Sequence, residues 1–121
     1  MSAFMLRRRF RSIMLMVLLF PLFAGTLSPQ PLVMFTNGND VIAHWGGFFM
    51  ASLAVFSLVR ERAASFFIFL LGLAVVLEAA QIFLDGRQVS AGDMSANLLG
   101  VCCAFFLITI FKAIRIQTSQ A

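Results

Sequence analysis

Four long apolar stretches constrain this chain more than any other feature. They cover residues 12–27, 41–59, 63–84 and 94–111 of the 121-residue sequence. A helix needs about 20 residues to cross roughly 30 Å of hydrocarbon, so each stretch is close to the length of one membrane span. The composition agrees, because 61% of the residues are hydrophobic and only 12% are charged, against about 25% charged in a soluble domain. The sequence therefore predicts an all-α membrane protein, with four transmembrane helices in a compact bundle.

Basic residues beside these stretches predict the orientation of the bundle. They precede the first stretch, separate the second from the third and follow the fourth: Arg7, Arg8, Arg9, Arg11, Arg60, Arg62, Lys112 and Arg115. Basic loops are retained on the cytoplasmic side of a membrane. We therefore expect both termini to be cytoplasmic and the loops 28–40 and 85–93 to lie outside, where Arg87 is the only basic residue.

The first apolar stretch also fits a cleaved signal peptide, because a basic segment precedes it. Residues 24–26, Ala-Gly-Thr, make a poor cleavage site, and the rest of the chain is itself apolar. We therefore predict that the stretch is a retained helix and that residues 1–121 form a single membrane domain. Asn37-Gly38 and Asp85-Gly86 predict turns in the two outer loops.

Small residues predict where the helices approach each other closely. Ala96, Gly100 and Ala104 recur every four residues in the fourth stretch, which gives a small-xxx-small ridge. Gly46 and Gly47 are expected to do the same in the second stretch.

Polar residues at the ends of the apolar stretches predict one site. Ionisable groups inside a membrane are costly and commonly functional. Three pairs of polar residues lie three or four positions apart, and each pair therefore shares one helix face: Asp40 with His44, Glu78 with Gln81, and Asp93 with Asn97. The predicted topology brings all of them to the outer side of the membrane. The candidate site residues are Asp40, His44, Glu78, Gln81, Arg87, Asp93 and Asn97.

Several of these residues also have a structural interpretation. Asp40 fits the N-cap of the second helix, and Ser90 with Asp93 fits a capping box at the start of the fourth. Arg87 fits an interface anchor, and Asn97 fits a hydrogen-bonding link between helices.

Glu78 is the residue least well explained by capping. It lies about six residues, or roughly 9 Å, below the outer end of its helix, so its carboxylate needs a partner or a proton. The available partners are Gln81, His44 and Arg87. His44 is the only histidine; it fits either a hydrogen-bonded core residue or a group that binds ligand or transfers protons.

The sequence predicts no metal ion, no cofactor and no nucleic-acid partner. Cys102 and Cys103 are adjacent, which disfavours an intrachain disulfide and gives no zinc-ligand spacing. Carboxylates with one histidine could hold a divalent ion, but the loop has no recognisable cation motif. The arginines before the first stretch abut an apolar run, which is typical of a topology signal.

The pattern of these residues has a known counterpart. It consists of Ser28-Pro29, Asp40-x-x-x-His44 and a block over residues 78–100, E-x-x-Q-x-F-x-x-G-R-x-x-S-x-x-D-x-x-A-N-x-x-G. The pattern covers most of the chain and resembles the VanZ-like family of small bacterial membrane proteins. Two positions depart from the family, which often has a lysine after the aspartate and a tyrosine within the second helix. This chain has Val41 and Phe48-Phe49 there, so its ligand is expected to differ if those groups contact it.

The resemblance implies a cell-envelope protein of the bacterial inner membrane, in a family named for an accessory protein of teicoplanin resistance. We expect it to bind or mask a membrane lipid or a lipid-linked wall or polysaccharide precursor at the outer leaflet, alone or as a homo-oligomer. Which residues would be catalytic is unknown.

The alternative is an intramembrane enzyme. Glu78 or Asp93 would be its base, His44 its acid or base, and Arg87 its clamp on a phosphate or carboxylate. A transporter or proton pathway is less favoured, because the cytoplasmic halves of the second, third and fourth helices offer no continuous polar path across a monomer. An oligomer could supply such a path.

Overall fold

The computed structural model describes residues 3–27, 40–59, 62–84 and 88–120, and these residues form four α-helices without a strand. The helices are α1 (Ala3–Thr26), α2 (Asp40–Leu58), α3 (Ala63–Ala80) and α4 (Ala91–Gln120), and a 3₁₀ turn (Gln81–Phe83) follows α3. All four are long and apolar enough to cross a membrane. The prediction of an all-α protein with four transmembrane helices is confirmed.

Two helices are longer than the apolar stretches that predicted them. The first helix begins at Ala3 rather than at residue 12, and α4 continues to Gln120 rather than ending at residue 111. Hydropathy marks only the part of a helix that suits hydrocarbon, whereas arginine, lysine and glutamine are good helix formers in water. The 30 residues of α4 span about 45 Å at the helical rise, so the helix extends beyond a bilayer core of roughly 30 Å.

The core of the bundle lies between α2, α3 and α4, and α1 adds Leu22 to it. Its fully buried side chains include Phe48, Phe56, Leu70 and Val101. Many large apolar side chains of all four helices remain exposed. An exposed apolar surface of this extent suits lipid rather than water.

A close helix contact joins α2 and α4 at Gly100. A Cβ atom at this position would lie 2.5 Å from the carbonyl oxygen of Trp45 and 2.9 Å from the backbone nitrogen of Phe49. The neighbouring ridge residues Ala96 and Ala104 are buried, so the predicted small-residue ridge is a packing surface. The expectation for Gly46 and Gly47 is wrong, because a Cβ on either would meet no atom of the described residues within 4 Å.

The helices alternate in direction, so one end of the bundle combines the end of α1, the start of α2, the end of α3 and the start of α4. Hydrogen bonds join these ends directly. The predicted turns at Asn37-Gly38 and Asp85-Gly86 and most of the basic hairpin at residues 60–62 lie outside the described residues.

Candidate functional site

A buried chain of three polar side chains links α2, α4 and α3. The Nδ1 atom of His44 lies 3.0 Å from Oδ1 of Asn97, and Nδ2 of Asn97 donates to Oε2 of Glu78 at 3.5 Å. Asn97 and Glu78 are fully buried, and His44 is 9% exposed. Buried polar groups are stable only when they are hydrogen-bonded, so the three residues stabilise one relative arrangement of three helices.

Glu78 also holds the start of α4. Its Oε1 atom accepts a hydrogen bond from the backbone N–H of Ser90 at 3.0 Å, while the Ser90 hydroxyl accepts one from the backbone N–H of Asp93 at 3.3 Å. The second bond is the Ser-to-N3 half of the predicted capping box. In the complete motif the side chain at position 93 would bind the Ser90 N–H, but Glu78 from another helix takes that role here.

The Asp93 carboxylate is therefore available for other contacts, and it lies with Asp40 and His44. One ligand-type atom from each of these three residues lies within 4.8 Å of the others. The Nε2 atom of His44 is 3.8 Å from Oδ1 of Asp40, which is one helical turn before it. The first turns of α2 and α4 supply both aspartates, where the positive end of the helix dipole stabilises a carboxylate.

Gln81 lies at the same end of the bundle, but its side chain binds α1 rather than the buried polar chain. Its Nε2 atom donates to the backbone carbonyl of Thr26 at 3.1 Å, which ties the end of α3 to the end of α1. Within the part of the chain that the structure describes, it makes no hydrogen bond to Glu78, its predicted partner one turn away. Thr26 was not among the sequence-derived candidates; a threonine that closes an apolar stretch was the only available signal.

The seven predicted site residues thus fall into three groups. The hydrogen-bonded chain comprises His44, Asn97 and Glu78; the cluster around His44 adds Asp40 and Asp93; and Gln81 binds α1. Arg87 lies outside the described residues. The expected direct pairs of Glu78 with His44 and with Gln81 do not form. Asn97 lies between Glu78 and His44, and Gln81 binds Thr26 instead.

The acidic residues of the described part of the chain lie at this end of the bundle. Asp40, Glu78 and Asp93 converge there, whereas the basic residues whose side chains are described lie at the opposite end: Arg7, Arg9, Arg11, Arg62, Lys112 and Arg115. Apolar side chains surround the polar end, since Ile82 and Phe83 are strongly exposed and the Trp45 ring stacks on Phe49 with centroids 5.1 Å apart. A polar site bordered by lipid-facing groups is the result.

Comparisons of the chain with protein-family profiles, with curated proteins and with solved structures gave no match. The resemblance to the VanZ-like family therefore depends on the pattern of polar and small residues between Ser28 and Gly100.

Proposed function

We propose that this protein is a VanZ-like protein of the bacterial inner membrane that binds a polar headgroup at the extracytoplasmic face. The ligand is a membrane lipid or a lipid-linked cell-wall or polysaccharide precursor. The observation that carries the proposal is the convergence of polar side chains from α2, α3 and α4 at one end of an otherwise apolar bundle. Binding of this kind would change the access of glycopeptides such as teicoplanin to their target.

The surroundings of the site support a lipid ligand. Asp40 is partly open, with a side chain that is 41% exposed, and Phe83 and Ile82 lie exposed at the same end of the bundle. A lipid could place the hydrogen-bond donors of its headgroup at the carboxylates and His44 while its chains lie along the apolar helix faces. Sites of this kind combine a few polar groups with an apolar wall.

The distribution of charge supports the extracytoplasmic orientation. The described cationic residues of α1 and α4, and Arg62 just before α3, lie at the end opposite the site, and positively charged flanks are retained in the cytoplasm. Arg87 is the one basic residue in the loops on the site's side. It is the group that would pair with a phosphate or carboxylate of the ligand.

The second candidate function is an acid/base enzyme acting on the same lipid class, and the orientation of His44 favours it. With Nδ1 directed at Asn97, the Nε2 atom faces the carboxylates and could accept a proton from water. The hydroxyls of Ser90 and Ser95 are engaged with Asp93 N–H and with the Ala91 carbonyl. A serine nucleophile is therefore less favoured than water.

A transport function has less support. The only buried polar side chain described near the middle of α2 is Ser52. Between the two bundle ends, the described parts of α2 to α4 contain no Asp, Glu, His, Lys or Arg. A proton or ion path across the monomer needs such groups.

The test is a lipid analysis of the protein extracted in native membrane discs. The wild-type protein should carry one class of anionic or lipid-linked envelope molecule above its abundance in the membrane. The amount of this lipid that copurifies with the protein should fall in Arg87→Lys, because lysine keeps the charge but loses the two-pronged geometry. It should fall further in Arg87→Ala, which loses both. Ser95→Ala is the matched control, since its hydroxyl is exposed and bonds within its own helix.

The outcomes separate the functions. A chemically altered lipid that disappears in His44→Gln supports the enzyme, whereas an unaltered lipid in both proteins supports binding. If the wild-type discs carry only bulk lipid in membrane proportions, and Arg87→Ala matches wild type in the cellular envelope phenotype, both functions are excluded.

A further inference from the structure

We propose that Asp40, His44 and Asp93 form a binding site for one divalent transition-metal ion, of the Mn²⁺ or Zn²⁺ type. The three residues lie on two helices and each offers a ligand atom within 4.8 Å of the other two. Two carboxylate oxygens and one imidazole nitrogen suit these ions better than Mg²⁺ or Ca²⁺, which prefer oxygen ligands alone. This inference concerns a ligand that the sequence did not predict.

The orientation of His44 is the first argument for the site. The NH₂ group of Asn97 donates to Oε2 of Glu78, so the Asn97 oxygen, which can only accept hydrogen bonds, is directed at His44. The Nδ1 atom of His44 then donates its proton to that oxygen, across 3.0 Å. In the neutral ring the lone pair is consequently on Nε2, which faces Asp40. Histidine ligands of metals are oriented in the same way, by donating the other N–H to an oxygen.

The burial of His44 is the second argument. The His44 side chain is only 7% exposed, and its Nε2 atom lies 3.8 Å from Asp40 Oδ1, which exceeds hydrogen-bond distance. A polar atom on a side chain this well enclosed is more stable with a partner than without one. A metal ion between Nε2 and the carboxylates would supply one.

The two aspartates are free to serve as ligands. Glu78 binds the Ser90 N–H, and the Ser90 hydroxyl binds the Asp93 N–H, so the capping of α4 does not use the Asp93 carboxylate. Asp40 is partly exposed at the end of the bundle, which gives an ion a route from water.

The ligand atoms must move closer together to hold a metal ion. Bonds of about 2.0–2.2 Å place tetrahedral ligands roughly 3.4 Å apart, whereas Nε2 of His44 and Oδ1 of Asp40 are 3.8 Å apart and the three ligand atoms lie within 4.8 Å of one another. Rotation of the exposed Asp40 side chain can shorten this distance. Three protein ligands leave at least one coordination position for water or for an oxygen of a bound anion.

A bound dication would also change what this end of the bundle can bind. Two carboxylates beside each other repel a phosphate, but a metal ion between them neutralises their charge and offers a coordination position to a phosphate oxygen.

The experiment measures metal binding without lipid, so its result is independent of the proposed lipid-binding function. All proteins carry Cys102→Ala and Cys103→Ala, because free thiols bind Zn²⁺, and the purification tag is not polyhistidine. Protein in detergent is treated with a chelator, dialysed and titrated with Mn²⁺ and with Zn²⁺ by calorimetry, and bound metal is counted by elemental analysis. Asp40→Asn and Asp93→Asn are the test variants, and Ser95→Ala is the control.

The expected result is one ion per chain for the reference protein and for Ser95→Ala. The affinity for the metal ion should fall by at least about 10-fold in each aspartate variant. This is the smallest loss that is typical when a hydrogen-bond partner of a metal ligand is mutated. The Cu²⁺-loaded reference protein should show nitrogen coupling in its electron paramagnetic resonance spectrum, and His44→Gln should lose it. Matching melting temperatures of the metal-free proteins show that the variants fold.

The proposal is overturned if the reference protein binds less than about half an ion per chain at saturating metal. It is equally overturned if both folded aspartate variants bind as tightly as the reference, because the ion then lies elsewhere. If one aspartate variant fails to fold, the other decides.

Discussion

Asn97 is the residue on which the buried polar chain depends. Its side chain combines an acceptor oxygen with a donor NH₂ group, so it can connect an imidazole N–H to a carboxylate. Aspartate at this position would place a second carboxylate against Glu78, and leucine would leave both neighbours without a partner. Because His44, Glu78 and Asn97 lie on three different helices, one amide stabilises the relative position of α2, α3 and α4.

The first prediction concerns the strength of this link. Asn97→Ala should lower the free energy of unfolding by about 1–3 kcal/mol, because it leaves buried polar atoms unsatisfied. A double-mutant cycle of Asn97→Ala with His44→Ala should give a coupling energy of about 0.5–2 kcal/mol, within the range found for hydrogen bonds between membrane helices. Denaturant unfolding in detergent micelles measures both quantities.

Gln81 supplies the control for this cycle. It lies at the same end of the bundle but binds Thr26, so Asn97→Ala and Gln81→Ala should be additive within about 0.5 kcal/mol. Equal coupling in the two cycles would mean that the loss reflects a general loosening of the bundle rather than the hydrogen bond.

Ser52 carries the second prediction at this scale. Its side chain is fully buried in α2, and its hydroxyl has no hydrogen-bond partner among the described residues. Because a buried hydroxyl without a partner is destabilising, Ser52→Ala should leave the free energy of unfolding unchanged or raise it by up to about 1 kcal/mol. Ser57→Ala is the control, since its hydroxyl is exposed and binds the Ala54 carbonyl. A loss above about 1 kcal/mol in Ser52→Ala would show that the hydroxyl has a partner.

At the scale of the helix, α4 is the element that organises the site. Its first turn carries Asp93, its second carries Asn97, and Gly100 follows at the contact with α2. The close approach at Gly100 fixes which face of α4 meets α2, and it therefore sets where Asp93 and Asn97 lie relative to His44. The packing of Gly100 against α2, one turn below the site, therefore determines the geometry of the site.

The third prediction tests this contact. Alanine is normally better than glycine inside a helix by about 0.5–1 kcal/mol, but a methyl group at Gly100 would lie 2.5 Å from a backbone carbonyl oxygen. Overpacking of this kind costs about 1–3 kcal/mol, so Gly100→Ala should be net destabilising and should also weaken any ligand binding at the site.

Gly46→Ala is the matched control in the partner helix, because a Cβ there meets nothing within 4 Å. It should be neutral or stabilising by up to about 1 kcal/mol. Equal stability of the two alanine variants would contradict the proposed role of Gly100.

At the scale of the whole molecule, the two ends of the bundle differ in charge. The described carboxylates lie at the site and the described cationic side chains lie at the opposite end. Since basic flanks are retained in the cytoplasm, this asymmetry predicts that both termini are cytoplasmic and that the site faces outward.

The fourth prediction places single cysteines in a background without Cys102 and Cys103. Gln88→Cys, an exposed position beside the site, should react with a membrane-impermeant thiol reagent in intact cells. Ser119→Cys, exposed near the end of α4, should react only after the membrane is permeabilised. The reverse labelling pattern would place the site in the cytoplasm and rule out binding at the outer leaflet.

The helices themselves could be read from the sequence, because hydrophobicity over a span of about 20 residues is a local property. The one-turn pairs Asp40 with His44 and Asp93 with Asn97 were also local, since residues four apart share a helix face. Alternation of four helices then brought the polar ends together. The ends of α1 and α4 were missed because a helix can continue in water beyond its apolar part.

The pairing between helices was decided only by the tertiary structure. Helical periodicity identifies the polar face of each helix but not how far that helix is rotated about its axis against its neighbours. The contact at Gly100 fixes that rotation for α2 and α4, and it brings His44 to Asn97 across 53 positions of sequence. For the same reason Glu78 binds Ser90 and Asn97 rather than Gln81, and Asp40, His44 and Asp93 form a cluster, because packing of small residues determines which polar faces meet.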